Sequence, residues 1–132
     1  MGNQLSIEVE KSTVKEKVEE IHRIDFDVNL NGKLHNIIFS TIRPKNDVYF
    51  LMKKYAVYLN GRFFFYAYPI LCSEMSLKAI IESKIHLLDS GLHDLEFMAL
   101  MTEKYSKKAW WSGDKTIVQN VFFERIKQLN LF

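Results

Sequence analysis

A chain of 132 residues falls within the size of one domain, and its 48% apolar and 26% charged side chains are ordinary for a globular protein. Eighteen Lys and Arg against sixteen Asp and Glu leave a net charge of +2, spread over both halves. There is therefore no basic arm or acidic tail to attract nucleic acid or membrane without regard to sequence. No stretch reaches the roughly 18 apolar residues of a transmembrane helix, and the N-terminus has no signal-peptide core.

The single cysteine, Cys72, cannot form an intramolecular disulfide and points to a reducing, cytoplasmic setting. Met1-Gly2-Asn3-Gln4-Leu5-Ser6 matches the short acceptor pattern for N-myristoylation, and one acyl chain alone anchors only weakly.

Along the chain, Leu5, Ile7 and Val9 alternate with polar residues and read as a short edge strand. Thr13 and Glu16 are spaced as a capping box, and the stripe Val14, Val18, Ile21 predicts a helix ending near His22. Ile24, Phe26, Val28 and Leu30 then alternate with Asp25, Asp27 and Asn29, the pattern of a strand. Asn31-Gly32 reads as a two-residue hairpin turn pairing Phe26 with Ile37 and Ile24 with Phe39. Arg43 to Asp47 is a loop, and a strand is expected from about residue 48 to 59.

The most aromatic stretch follows, Tyr55 to Tyr68 folded about Asn60-Gly61. A type I′ turn there sets Tyr58 opposite Phe63, Val57 opposite Phe64, Ala56 opposite Phe65 and Tyr55 opposite Tyr66. Both faces of that ribbon are apolar, so it should be a central pair covered on both sides.

Beyond Pro69 the period becomes helical. Leu77, Ile80, Ile81, Ile85 and Leu88 trace one face, with Ser73 or Ser76 as cap and Asp89-Ser90-Gly91 as stop. Leu95 to Tyr105 is a second helix, apolar round most of its girth. A third is expected from about Thr116, with Val118, Val121, Phe122, Ile126 and Leu129 inward. The expected architecture is one α+β domain over residues 1–132: an N-terminal helix, a four-stranded antiparallel β-meander, then three C-terminal helices packed on the sheet.

The residues that carry chemistry are few. His86, Asp89 and His93 have a spacing that zinc accepts, but Ser90-Gly91 breaks the helix between them and no fourth ligand follows. No metal or cofactor is expected. Asp25 and Asp27 share a strand face, where paired carboxylates serve acid–base chemistry or, more simply, line a solvated surface; they are the secondary candidate surface. No glycine-rich phosphate loop, nucleophile elbow or zinc-protease helix occurs. Gly61-Arg62-Phe63-Phe64-Phe65-Tyr66 lacks the basic residue before the glycine and the small residue between aromatics found in RNA-binding sheets, so it reads as packed core.

Lys107, Lys108, Trp110 and Trp111 are harder to absorb into a core. Two adjacent Trp cannot both face inward from one element, and a Lys pair beside them has the composition of an interface hot spot with a charged rim. The expected function is thus a stand-alone protein-binding domain, of the inhibitor or toxin-neutralising immunity-protein type, that occludes a partner protein and is not an enzyme. The alternatives are a nucleic-acid-binding domain using sheet aromatics with Lys and Arg, and an enzyme with a pocket between sheet and helices.

Overall fold

Asn60 and Gly61 adopt φ of 50° and 78° in the computed structural model, which describes residues 20–127. These left-handed values build the expected hairpin between β3 (Tyr55–Leu59) and β4 (Arg62–Ser76). Leu59 pairs with Arg62 and Tyr58 with Phe63, as the turn requires. A bulge then takes up one extra residue of β4, so Val57 pairs with Phe65, Ala56 with Tyr66 and Tyr55 with Ala67. The shift puts Tyr55, Val57, Phe65 and Ala67 on one buried face and leaves Phe64 half-buried beside them.

The sheet is not the expected meander. Its order is β1 (His22–Phe26), β3, β4, β5 (Ile117–Arg125), β2 (Ile38–Pro44), with β1 and β3 parallel and the other neighbours antiparallel. The first Asn-Gly pair does take left-handed φ values, 59° at Asn31 and 62° at Gly32. Instead of joining two strands it sits within a 3-10 segment, Leu30–His35, closed where Asn29 Oδ1 accepts from Leu34 N (2.9 Å) and Lys33 O from Asn36 N (3.0 Å). The chain leaves that segment in a new direction, and β1 and β2 end on opposite edges of the sheet.

Residues 48–54, expected as strand, are a loop with Met52 at φ 63°, tied down where Met52 N donates to Pro69 O (2.8 Å). The last expected helix is β5. Its apolar residues lie on both faces because β5 fills the space between β4 and β2 and is covered on both sides, which erases the period of two. The expected N-terminal helix, the strand at Leu5 to Val9 and the acylation pattern fall outside the described residues, except that His22, its expected end, opens β1.

The first C-terminal helix divides into α1 (Leu77–Glu82) and α2 (Ile85–Ser90), because Lys84 takes a left-handed φ of 64°. Ser76 caps α1, its Oγ accepting from Ala79 N (3.0 Å), and Gly91 ends α2 at φ 72°. In α3 (Asp94–Tyr105) only Phe97 and Met101 are fully buried, and Leu95 is 86% exposed, so this helix is more open than its composition implies.

Two cores result. Ile24, Phe26, Phe39, Tyr55, Val57, Phe65, Val121 and Phe123 fill the inner face of the sheet, with Leu34 from the 3-10 segment. Ile42 and Val118, on the other face, meet Leu77, Ile80, Phe97 and Met101 beneath the helices. Phe26 and Phe39 belong to the opposite edge strands, yet their rings are 6.1 Å apart, and Arg43 Nη2 of β2 donates to Asp25 O of β1 (2.8 Å). The sheet therefore curls until its two edges face one another, like a barrel left unclosed between β1 and β2.

Candidate functional site

A cleft of about 670 Å³ lies over this seam. The end of β1 and the residues after it supply Asp25, Phe26, Asp27 and Val28, and β2 supplies Thr41, Ile42 and Arg43. On its far side α3 contributes Glu96, Leu100, Met101, Glu103 and Tyr105. The floor is apolar and the rim carries carboxylates.

At its base sits a buried ion pair. Lys33 Nζ lies 2.8 Å from Asp89 Oδ1, with the two side chains 7% and 8% exposed, and Ser40 Oγ donates to the same oxygen (3.1 Å). Burial pushes the Lys33 ammonium below the usual lysine range, and Asp89 restores part of what desolvation removes. The pair joins the 3-10 segment and β2 to α2, which holds the base of the cleft in one geometry.

Arg43 is the other prominent cation of the cleft. Its Nε donates to Thr41 Oγ1 (2.9 Å), and its guanidinium lies 4.7 Å from the centre of the Phe26 ring. Burial raises the Tyr105 hydroxyl, and it raises Tyr49, in the loop before β3, to about 12.

The secondary candidate pair is brought to the cleft, since Asp25 and Asp27 both line it. Asp25 is already engaged in a bidentate, exposed contact with Arg23, at 2.9 to 3.1 Å. The other candidate residues lie next to it. Trp110 meets Tyr105 in a tilted contact at 5.4 Å, so the aromatic surface passes from the cleft wall to a hollow of about 230 Å³ lined by Lys45, Asn46, Trp110 and Lys115. Trp111 turns the other way and packs half-buried against the second core, while Lys107 and Lys108 are exposed. Both Trp are thus half-buried, Trp111 against the second core and Trp110 against Tyr105.

The possible zinc set does not assemble. His86 is fully buried with Nε2 2.6 Å from Asp94 Oδ1; Asp89 serves Lys33; His93 is exposed. Among the described residues no group of three or more His, Cys, Asp or Glu is placed to hold a metal. Cys72 is half-buried, and burial pushes its thiol up, which makes it a poor nucleophile. No helix among the described residues is long and apolar enough to cross a membrane.

Sequence reasoning missed Lys33, Arg43, Glu96 and Glu103, and weighed Asp89 only as a zinc ligand and a helix stop. Lys33 and Asp89 are 56 residues apart, and each carries the local signal of a turn or helix end. A second feature lies on the outer face of β1, β3 and β4, where sequence reading raised the sheet aromatics as an alternative binding surface but set Gly61 to Tyr66 aside as packed core. Arg23 lies over the Tyr58 ring (3.6 Å), Tyr58 meets Phe63 (5.9 Å), Phe63 meets Tyr66 (4.8 Å) and Lys54 lies over Tyr66 (4.5 Å). Comparison with protein-family models, with curated proteins and with solved structures yields no match to this chain.

Proposed function

We propose that this protein is a binding domain that occludes a partner protein, of the inhibitor or toxin-neutralising kind, and that the partner seats in the cleft between β1, β2 and α3. The observation that carries the reading is the continuity of this surface. An apolar floor of Phe26, Ile42, Leu100 and Met101 runs through Tyr105 to Trp110, bordered by Asp27, Glu96 and Glu103. Interfaces combine such an apolar centre with aromatic anchors and a polar rim. Lys107 and Lys108 extend the surface beyond Trp110.

The test is capture of the partner from the native source on immobilised protein, with identification by mass spectrometry and affinity measured on the purified pair. Asp27→Lys with Glu103→Lys reverses the charge of an exposed rim without touching the core. It should weaken the complex by roughly tenfold or more, chiefly through the association rate and its salt dependence. A partner held equally well by this variant and by Trp110→Ala would refute the assignment of the surface.

One observation favours a second reading, single-stranded nucleic acid bound on the outer face. Tyr58, Phe63 and Tyr66 form a row of rings flanked by Arg23 and Lys54, and aromatic platforms with cations stack bases without sequence preference. That reading requires affinity for an oligonucleotide to fall steeply as salt rises, and a Phe63→Ala change to weaken it.

A further inference from the structure

The two strand edges that face each other across the seam carry unused hydrogen-bonding groups. In β1, His22 N donates to Lys54 O (3.0 Å) and Phe26 O accepts from Asn60 N (2.7 Å). His22, Ile24 and Phe26 therefore present their backbone groups to β3, and by alternation Arg23 and Asp25 present theirs to the seam. In β2, Ile37 O accepts from Arg125 N (2.7 Å), which directs Ile37, Phe39, Thr41 and Arg43 toward β5 and turns Ile38, Ser40 and Ile42 away from it.

Among the described residues the outward N–H and C=O groups of Ile38, Ser40 and Ile42 have no partner, and on β1 only Asp25 O has one, the Arg43 guanidinium. Ser40 and Ile42 are only 8% and 6% exposed. A strand edge of this kind is a template for another chain, and its groups are costly to leave unpaired.

Resting on the protein-binding reading above, we infer that the partner contributes an extended segment that adds as a strand along β2 in the seam, carrying both apolar residues and Lys or Arg. The composition follows from the lining. The cleft over the seam presents Phe26, Ile42, Leu100 and Met101 together with Asp27, Glu96 and Glu103, and Glu96, Leu100 and Glu103 share one face of α3. These three carboxylates have no ion-pair partner among the described residues. Ile38 to Ile42 accommodates about five residues of an added strand, roughly 17 Å at the usual rise, and its Ile42 end enters the cleft.

The probes are two end-blocked octapeptides, one alternating Val with Lys and one alternating Val with Glu, titrated into the full chain while backbone amide exchange is followed by NMR. The Val–Lys peptide should bind saturably and slow exchange at Ser40 and Ile42 by roughly tenfold or more, leaving Asn46 unchanged. Glu103→Lys should lower its affinity by roughly tenfold and favour the Val–Glu peptide. Ile38→Pro removes one outward donor at an exposed edge position without breaking the ladder to β5, and should weaken binding too.

Equal binding of both peptides, or binding of neither at millimolar concentration, would overturn the inference. So would Ser40 and Ile42 amides that exchange in the free chain as slowly as those of Phe39 and Thr41, because the edge would then already be covered. Binding of the Val–Lys peptide without protection of these amides overturns strand addition alone and leaves the protein-binding reading standing, whose own test is capture of the partner.

Discussion

Replacing Asp89 with alanine isolates the interaction that holds the base of the cleft. The change leaves the Lys33 ammonium without its carboxylate in a site where its side chain is 7% exposed, and takes from Ser40 Oγ its acceptor. Breaking one side of a buried pair costs about 3–5 kcal/mol. Lys33 can escape part of that by losing its proton, which sets an upper limit. From an ordinary value of 10.5, deprotonation near neutral pH costs about 5 kcal/mol at ~1.36 kcal/mol per unit of pH.

The two routes converge on a loss of about 3–5 kcal/mol near pH 7. The sign of the pH dependence follows. Without Asp89, burial holds the folded Lys33 well below its unfolded value, so the folded state binds the proton less tightly than the unfolded one. The deficit is largest at low pH, where the unfolded chain is protonated, and shrinks as pH rises toward the unfolded value.

Urea denaturation of wild type and variant from about pH 6 to about pH 10, read by Trp fluorescence, measures the difference. A second variant, Lys33→Met with Asp89→Leu, removes both charges and should recover to within about 1 kcal/mol of wild type. A loss under about 1 kcal/mol for Asp89→Ala, or a double variant no better than the single one, would refute the claim that the pair is desolvated and mutually dependent.

Three further outcomes are expected. Phe65→Ala should cost about 3–5 kcal/mol in chemical denaturation, because Phe65 is in the inner core, and Phe64→Ala at the half-buried bulge should cost clearly less; equal losses would mean the bulge is misplaced. Gly61→Val forces a β-branched residue to φ 78° and should destabilise by more than the entropy gained from removing a glycine, whereas a neutral melting temperature would argue against the left-handed turn. Tyr49, raised to about 12 by burial, should ionise last among the tyrosines in an ultraviolet titration. The unfolded chain gives up that proton near its ordinary 10.0, so stability should be fully present below that pH and be lost as pH rises toward 12.

Much of the local structure was legible in the residues themselves. Asn60-Gly61 determined a hairpin and its first two pairs, because few other residue pairs tolerate positive φ at both central positions. Ser76, one of the two candidate caps with Ser73, and Gly91 likewise marked the start of α1 and the end of α2, since capping is satisfied within a few residues of the same helix. Asn31-Gly32 marks the limit of such reasoning: its left-handed backbone was foreseeable, but nothing local says which strands will pair afterwards.

Tertiary packing alone decided that β1 lies parallel to β3, that β5 enters between β4 and β2, and that residues 117–125 are strand and not helix. A strand buried on both faces shows no period of two, so Val118, Val121 and Phe122 suited a helix equally well. The candidate site divides along the same line. Asp25, Asp27 and Trp110 stood out by residue type, while Lys33, Asp89 and the cleft they support arise only when segments 56 residues apart meet. That meeting depends on the curl of the whole sheet, which brings its two edge strands face to face and has no signature in any single stretch of the chain.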